Sequence, residues 1–164
     1  MAAIYKLAVI LPKKPIKKNM TFDITLTAAA IATLISAITS ASITLWITKF
    51  NKQKNLDDQL DSLLKISIQY PYLESQKFAQ SWKSDYDEND EKYLRYDLYC
   101  VLLFNYLERL AKYHNYDKKE IEKYLAIKDW VRHHSEYWKN PTNSYENVDT
   151  YEKEFVEIIN SYLK

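Results

Sequence analysis

"ITLTAAAIATLISAITSASITLWIT", residues 24–48, decides how the rest of the chain is read. No charged residue falls between Asp23 and Lys49. At 1.5 Å rise per residue a helix over residues 24–47 extends about 36 Å, enough to cross a ~30 Å hydrocarbon core. Those residues include six Ile, three Leu and six Ala. Each Ile or Leu favours insertion by roughly 0.3–0.6 kcal/mol. Eight Ser and Thr oppose it, but in a helix their hydroxyls bond back to carbonyls four residues earlier. Trp46 stands near one end, where an interfacial anchor belongs. The apolar region of a cleaved signal peptide usually runs only about 7–15 residues. Here "ITLWIT", residues 43–48, continues past the small "SAS" at 40–42. A retained membrane span is the favoured reading; a cleaved signal and a buried soluble helix are its rivals.

Within this stretch Ala28, Ala32, Ser36, Ser40 and Thr44 recur every four residues. Ala29, Thr33, Ala37 and Ala41 form a second row beside them. Small residues in such rows let helix backbones approach closely, and hydroxyls bond across the contact. Two readings stay open: a face for self-association in the bilayer, and a chance row in an Ala- and Thr-rich anchor.

Orientation depends on the start of translation. From Met1, five Lys precede the span, and Lys49, Lys52, Lys54 and Lys65 follow it, so the positive-inside bias nearly cancels. From Met20 the leading lysines vanish, and the following ones hold the C-terminal part inside. Residues 1–22 are thus a basic tail, or largely untranslated before Met20. The expected layout is this tail, a transmembrane helix over 23–48 and a helical soluble domain over 49–164, cytoplasmic in orientation.

Composition narrows the chemistry. The chain has no glycine, where average usage predicts about eleven. Gly-rich phosphate loops, dinucleotide fingerprints and the strained nucleophile elbow all need glycine for positive φ or close backbone approach, so those motifs are absent. Primed hairpin turns are disfavoured as well. Residues 50–164 carry 17 Lys and Arg against 21 Asp and Glu. That balance argues against direct nucleic-acid binding. The lone Cys100 has no intrachain partner, which fits a reducing compartment.

Residues 49–164 read as helices throughout. Leu56, Leu60, Leu63, Ser67 and Tyr70 follow a heptad-like spacing that continues from the span. Pro71 stops it. A helix over about 74–84 carries Phe78 and Trp82, and "DYDEND" at 85–90 forms a loop and an acidic helix start. The next helix, about 90–114, contains "LYCVLLFNYL", apolar nearly all round and too short to span a membrane. It is expected to be the central helix of a soluble core. Asp117 with Glu120 reads as a capping box for a helix over about 118–138. Ile127, Trp130, Val131, His134 and Trp138 line one face of it. "NPTN" breaks the chain at 140–143, Asn143 and Glu146 suit a cap, and Val148 to Tyr162 form an amphipathic final helix. The fold class is all-α: an N-terminal transmembrane helix followed by a bundle of four or five helices.

Candidate chemistry is sparse. "RLAKYH" at 109–114 resembles the Arg-x4–6-His pattern of HEPN ribonucleases, which are also helical bundles. The resemblance implies Arg109 and His114 as catalytic residues, with imidazole moving protons and guanidinium holding phosphate. It covers six residues, and Leu110 stands where that family usually has a polar residue. The bland reading is an exposed helix end with a C-terminal His. In "WVRHHSEYW", adjacent His133 and His134 point about 100° apart on a continuous helix, so they make poor joint ligands. His133 with Glu136 is only a pair. No metal site and no cofactor is therefore expected. His134 is expected to pack with Trp130 and Trp138. Asn105 and Glu108 are expected to bond Arg132, His134 or Tyr hydroxyls, in a structural network or a small-ligand pocket. Cys100 reads as core.

The order of features also resembles a broad group of uncharacterised bacterial single-pass membrane-anchored helical proteins. The positions that carry this are "YPYLE" at 70–74, "FNYLE" at 104–108 and "YWKNP" at 137–141. The resemblance implies an inner-membrane location and an effector role in phage defence or membrane stress. The sequence thus predicts a non-enzymatic, self-associating membrane protein, whose soluble domain binds its own copies or a protein partner. A membrane-tethered ribonuclease and a structural anchor or complex subunit are the alternatives.

Overall fold

The computed structural model describes the backbone of residues 18–141 and 150–164, with side chains from residue 25 onward. The expected cap at Asn143 and Glu146, and Val148, lie outside the described residues. The chain divides into two units, Met1–Ile47 and Thr48–Lys164. Every described element is helical: α1 Lys18–Gln69, a 3-10 turn Pro71–Glu74, α2 Gln76–Gln80, α3 Trp82–Asp85, α4 Glu91–Tyr113, α5 Lys118–Tyr124, α6 Ile127–His133, α7 Ser135–Lys139 and α8 Lys153–Tyr162. The all-α expectation holds, with shorter and more numerous helices than four or five.

In the first unit, α1 is a row of exposed apolar side chains, among them Leu26, Ile31, Leu34, Ile35, Ile38, Ile43 and Leu45. It is the one helix among the described residues that is long and apolar enough to cross a membrane. The hydroxyls behave as the sequence predicts. Thr33 donates to the Ala29 carbonyl at 2.8 Å, Thr39 to Ile35 at 2.8 Å, Ser42 to Ile38 at 2.9 Å and Thr44 to Ser40 at 2.8 Å. Back-bonding of this kind removes much of the cost of placing a hydroxyl in hydrocarbon.

In the second unit, the C-terminal part of α1 contributes Leu56 and Leu63 to the core, with Leu60 and Tyr70 partly buried. Pro71 ends the helix as expected, since the residue before proline avoids the α region; Tyr70 sits at φ −129°. The single helix expected over 74–84 is broken at Ser81 (φ −88°, ψ 4°), which separates α2 from α3. The break lets fully buried Trp82 donate its indole N–H to the Asn140 carbonyl at 3.0 Å. The Trp82 ring also meets Tyr96 at 5.2 Å and Tyr137 at 5.5 Å.

Helix α4 starts where the sequence predicts, with the Asp90 carboxylate accepting from the Lys92 amide at 2.9 Å. It supplies the middle of the core through Tyr96, Cys100, Leu103, Phe104, Leu107 and Leu110. It is not buried all round, however: Leu94, Leu98 and Leu102 remain more than half exposed on one face. The composition of "LYCVLLFNYL" hides this, because the run supplies two apolar faces and the bundle covers one.

The end of α4 shows how a chain without glycine closes a helix. Asn115 (φ 50°) and Tyr116 (φ 60°) take the left-handed region. The Tyr116 amide reaches back to the Ala111 carbonyl at 2.8 Å and the Asn115 amide to Lys112 at 3.1 Å. This is a Schellman closure with Asn in the position glycine usually occupies. Asp117 then caps α5, accepting from the Lys119 and Glu120 amides at 2.9 and 3.3 Å. Glu120 pairs with Lys123 rather than reaching back, so the box is half formed.

The helix expected over 118–138 is three helices. Leu125 is extended (φ −149°, ψ 148°), and His134 (φ −98°, ψ 23°) separates α6 from α7. The reason is geometric. At about 100° per residue, Ile121 and Tyr137 would point roughly 160° apart on one straight helix. Both are buried in the same core. Interrupting the helix is what lets both sides of the segment face inward.

Candidate functional site

Among the described residues one side chain outside the hydrophobic types is buried: His134, at 0% exposure. It sits at the α6–α7 junction. Its Nδ1 lies 2.9 Å from the Tyr96 hydroxyl and 3.8 Å from Cys100 Sγ. Its Nε2 points the other way, 3.6 Å from Glu74 Oε1. His133 Nε2 approaches the second carboxylate oxygen, Glu74 Oε2, at 3.9 Å. Both distances exceed a hydrogen bond, and both Nε2 atoms are buried without a hydrogen-bond partner. The two imidazoles meet edge to face, their ring centres 4.6 Å apart.

Glu74 and His134 are held from outside the cluster. Glu74 closes the 3-10 turn that Pro71 begins. It accepts a hydrogen bond from the Tyr99 hydroxyl, which in turn meets Ser67 Oγ at 2.9 Å. The expectation that His134 packs with Trp130 and Trp138 is replaced: its ring neighbours are Tyr96, Tyr99 and His133. Trp138 packs on Phe104 and Tyr151 instead. Because His134 caps α6 rather than continuing it, the 100° divergence of adjacent helical residues does not apply, and the two Nε2 atoms converge.

The electrostatics follow from burial and proximity. Burial penalises the Glu74 charge, but contact with His134 and Tyr99, and the charges of the two imidazoles, hold its carboxyl below the usual range. Burial pushes His133 down from the ordinary imidazole value, and the neighbouring His134 adds to this against the opposing pull of Glu74. Burial likewise raises the Tyr96 and Tyr99 hydroxyls and the Cys100 thiol. Cys100 is fully buried and faces Nδ1, so it belongs to the core as the sequence predicts. Glu74, His133 and His134 are a group that could hold a metal ion, their donor atoms all within 4.8 Å of one another. The signal was present in "YPYLE" and "RHH", but nothing local links them.

The other candidate residues are dispersed. Asn105 lines a groove of about 170 Å³ with Gln59, Ile66, Leu102 and Arg109. Glu108 accepts from the Glu152 amide at 2.8 Å and pairs with Lys112. Arg132 donates to the Tyr162 carbonyl at 3.2 Å. Glu108 and Arg132 have hydrogen-bond partners other than His134, and the groove that Asn105 lines does not include His134. Arg109 donates to Gln59 at 3.1 Å, whereas the His114 ring packs between Tyr113 and Tyr124. The two line different cavities. Glu136 accepts from Asn140 rather than joining His133. Ala28, Ala32, Ser36, Ser40 and Thr44 are exposed along α1.

No protein-family profile, curated protein or solved structure matches the chain.

Proposed function

We propose that the chain is a single-pass protein of the bacterial inner membrane, with residues 49–164 cytoplasmic, that acts by self-association rather than by catalysis. One observation carries the anchor: the most apolar window of α1 has no buried residue. Contiguous apolar surface on a soluble monomer rarely exceeds a few hundred Å². Eight exposed Ile and Leu between Leu26 and Ile47 need another apolar phase, and a bilayer supplies it. The satisfied hydroxyls of Thr33, Thr39, Ser42 and Thr44 suit that phase.

Self-association rests on the small row Ala28, Ala32, Ser36, Ser40 and Thr44, which permits close backbone approach. In the second unit the exposed Leu94, Leu98 and Leu102 fall four residues apart on one face of α4. A second copy confined to the same membrane is the occupant assigned to that face. An effector role in phage defence or membrane stress is the biological setting proposed for such clustering.

The test has two parts. Membranes from expressing cells are washed with alkaline carbonate; release of the chain into the supernatant would sink the anchor. Crosslinking in intact membranes then compares wild type with a triple variant, Ala32→Leu, Ser36→Leu and Ser40→Leu. Oligomer bands should fall sharply, and unchanged bands would remove the small row from the contact. Protease access in inverted vesicles reports orientation. Following RNA integrity in the same cells covers the ribonuclease alternative, which predicts RNA loss abolished by Arg109→Ala with His114→Ala.

A further inference from the structure

We propose that Glu74, His133 and His134 form a divalent transition-metal site, with Zn²⁺ as its ion. The donor set is two imidazole nitrogens and one carboxylate, a combination that zinc accepts when it keeps one position open. A tetrahedral ion with bonds of about 2.0–2.1 Å holds its ligands roughly 3.3–3.4 Å apart. The observed approaches to Glu74 are 3.6 and 3.9 Å. Those two approaches are to the two different carboxylate oxygens, and one donor atom from each residue lies within 4.8 Å of the others; side-chain movements of about 1 Å gather the three donors onto one ion.

The polarity of the cluster asks for a cation. Two buried Nε2 atoms without hydrogen-bond partners face one carboxylate. With a proton on Nδ1 of His134, directed at the Tyr96 hydroxyl 2.9 Å away, the Nε2 lone pair turns toward Glu74. Lone pairs of imidazole and carboxylate oxygens repel one another unless a positive charge lies between them. Two protons can supply that charge, and so can one metal ion.

The supporting groups match what metal ligands require. The Tyr96 contact orients His134 through its distal nitrogen, as outer hydrogen bonds do at metal centres. Tyr99 donates to Glu74 and is itself tied to Ser67, so the carboxylate is oriented by α4 and α1. Access comes from one side. His134 is sealed at 0% exposure, whereas the His133 and Glu74 side chains are 21% and 30% exposed. The ion enters there, and water completes its coordination. Bound, it would clamp the 3-10 turn after Pro71 to the α6–α7 junction, two segments joined only through long-range packing.

The test uses the untagged full chain in detergent micelles, stripped of metal and titrated with Zn²⁺ by calorimetry and with Co²⁺ by visible absorption. The expected result is one saturable equivalent per chain, ligand-field bands characteristic of low-coordinate Co²⁺, and a Tm that rises with free Zn²⁺. Glu74→Gln and His133→Gln, chosen because both side chains reach solvent, should each weaken Zn²⁺ by more than ~100-fold, beyond the usual effect of changes to supporting groups. Tyr99→Phe should weaken it about tenfold without removing a ligand. Far-UV circular dichroism of each metal-free variant should match wild type. Absence of stoichiometric binding by the folded wild type overturns the proposal and leaves protons as the bridging charge. Binding retained in either ligand variant also overturns it, since the ion would then lie elsewhere.

Discussion

Leu102 and Leu103 are neighbours in sequence and opposites in the fold, and replacing each by Ala tests how α4 is oriented. Leu103 is fully buried, whereas Leu102 is 51% exposed. Leu103→Ala loses the transfer free energy of the deleted atoms and leaves a cavity among Leu107, Phe104 and their neighbours, a cost of about 2.7–5 kcal/mol. Leu102→Ala removes a side chain that already keeps half its surface in water at the rim of an open groove. Fully burying a Leu is worth about 1.5–3 kcal/mol. Roughly half of that, with no enclosed cavity, gives about 1 kcal/mol. The two variants should therefore differ by about 2–4 kcal/mol, more than a tenfold change in the unfolding constant. The assay is urea unfolding of the full chain in mild detergent, followed by tryptophan fluorescence. A Trp46→Phe background leaves Trp82, Trp130 and Trp138 as reporters of the second unit. Equal losses for the two leucines, or a larger loss for Leu102, would refute the assigned faces of α4. Leu102→Ala should instead show its effect in crosslinking between copies, where Leu103→Ala should not at temperatures well below its Tm.

Two further outcomes follow from the helix ends. Asp117→Ala removes the acceptor for the Lys119 and Glu120 amides and should cost about 1 kcal/mol in the same urea experiment; no loss would mean that α5 does not depend on its cap. Asn115→Gly should be neutral or stabilising, and Asn115→Val should destabilise by roughly 1–2 kcal/mol, because the residue sits at φ 50°. Indifference to valine in the same measurement would show that the left-handed closure is not populated.

Several features were legible in residue order because they are local. The uncharged run at 24–48 sets a helix long enough for a bilayer, and its hydroxyls find acceptors four residues back. Pro71 stops α1, and Asp90 and Asp117 begin α4 and α5, because capping and proline sterics act within one helical turn. The absence of glycine disfavoured hairpin turns, and Asn115 fills a glycine position at the end of α4. Cys100 in an apolar run was legible as core for the same reason.

Tertiary structure decided what depends on distant neighbours. Periodicity marked α4 as apolar nearly all round; packing chose to bury Leu103 and leave Leu94, Leu98 and Leu102 outside. The segment over 118–138 has good helical pattern throughout, yet burying both Ile121 and Tyr137 in one core required breaks at Leu125 and His134. The second break turned two histidines that diverge on a regular helix toward one carboxylate. That carboxylate, Glu74, comes from a turn far away in sequence, and Tyr96 and Tyr99 orient the group from a third element. Helix starts and stops are written in hydrogen bonds a few residues long. The cluster is written in the closure of the core, which no local stretch of sequence contains.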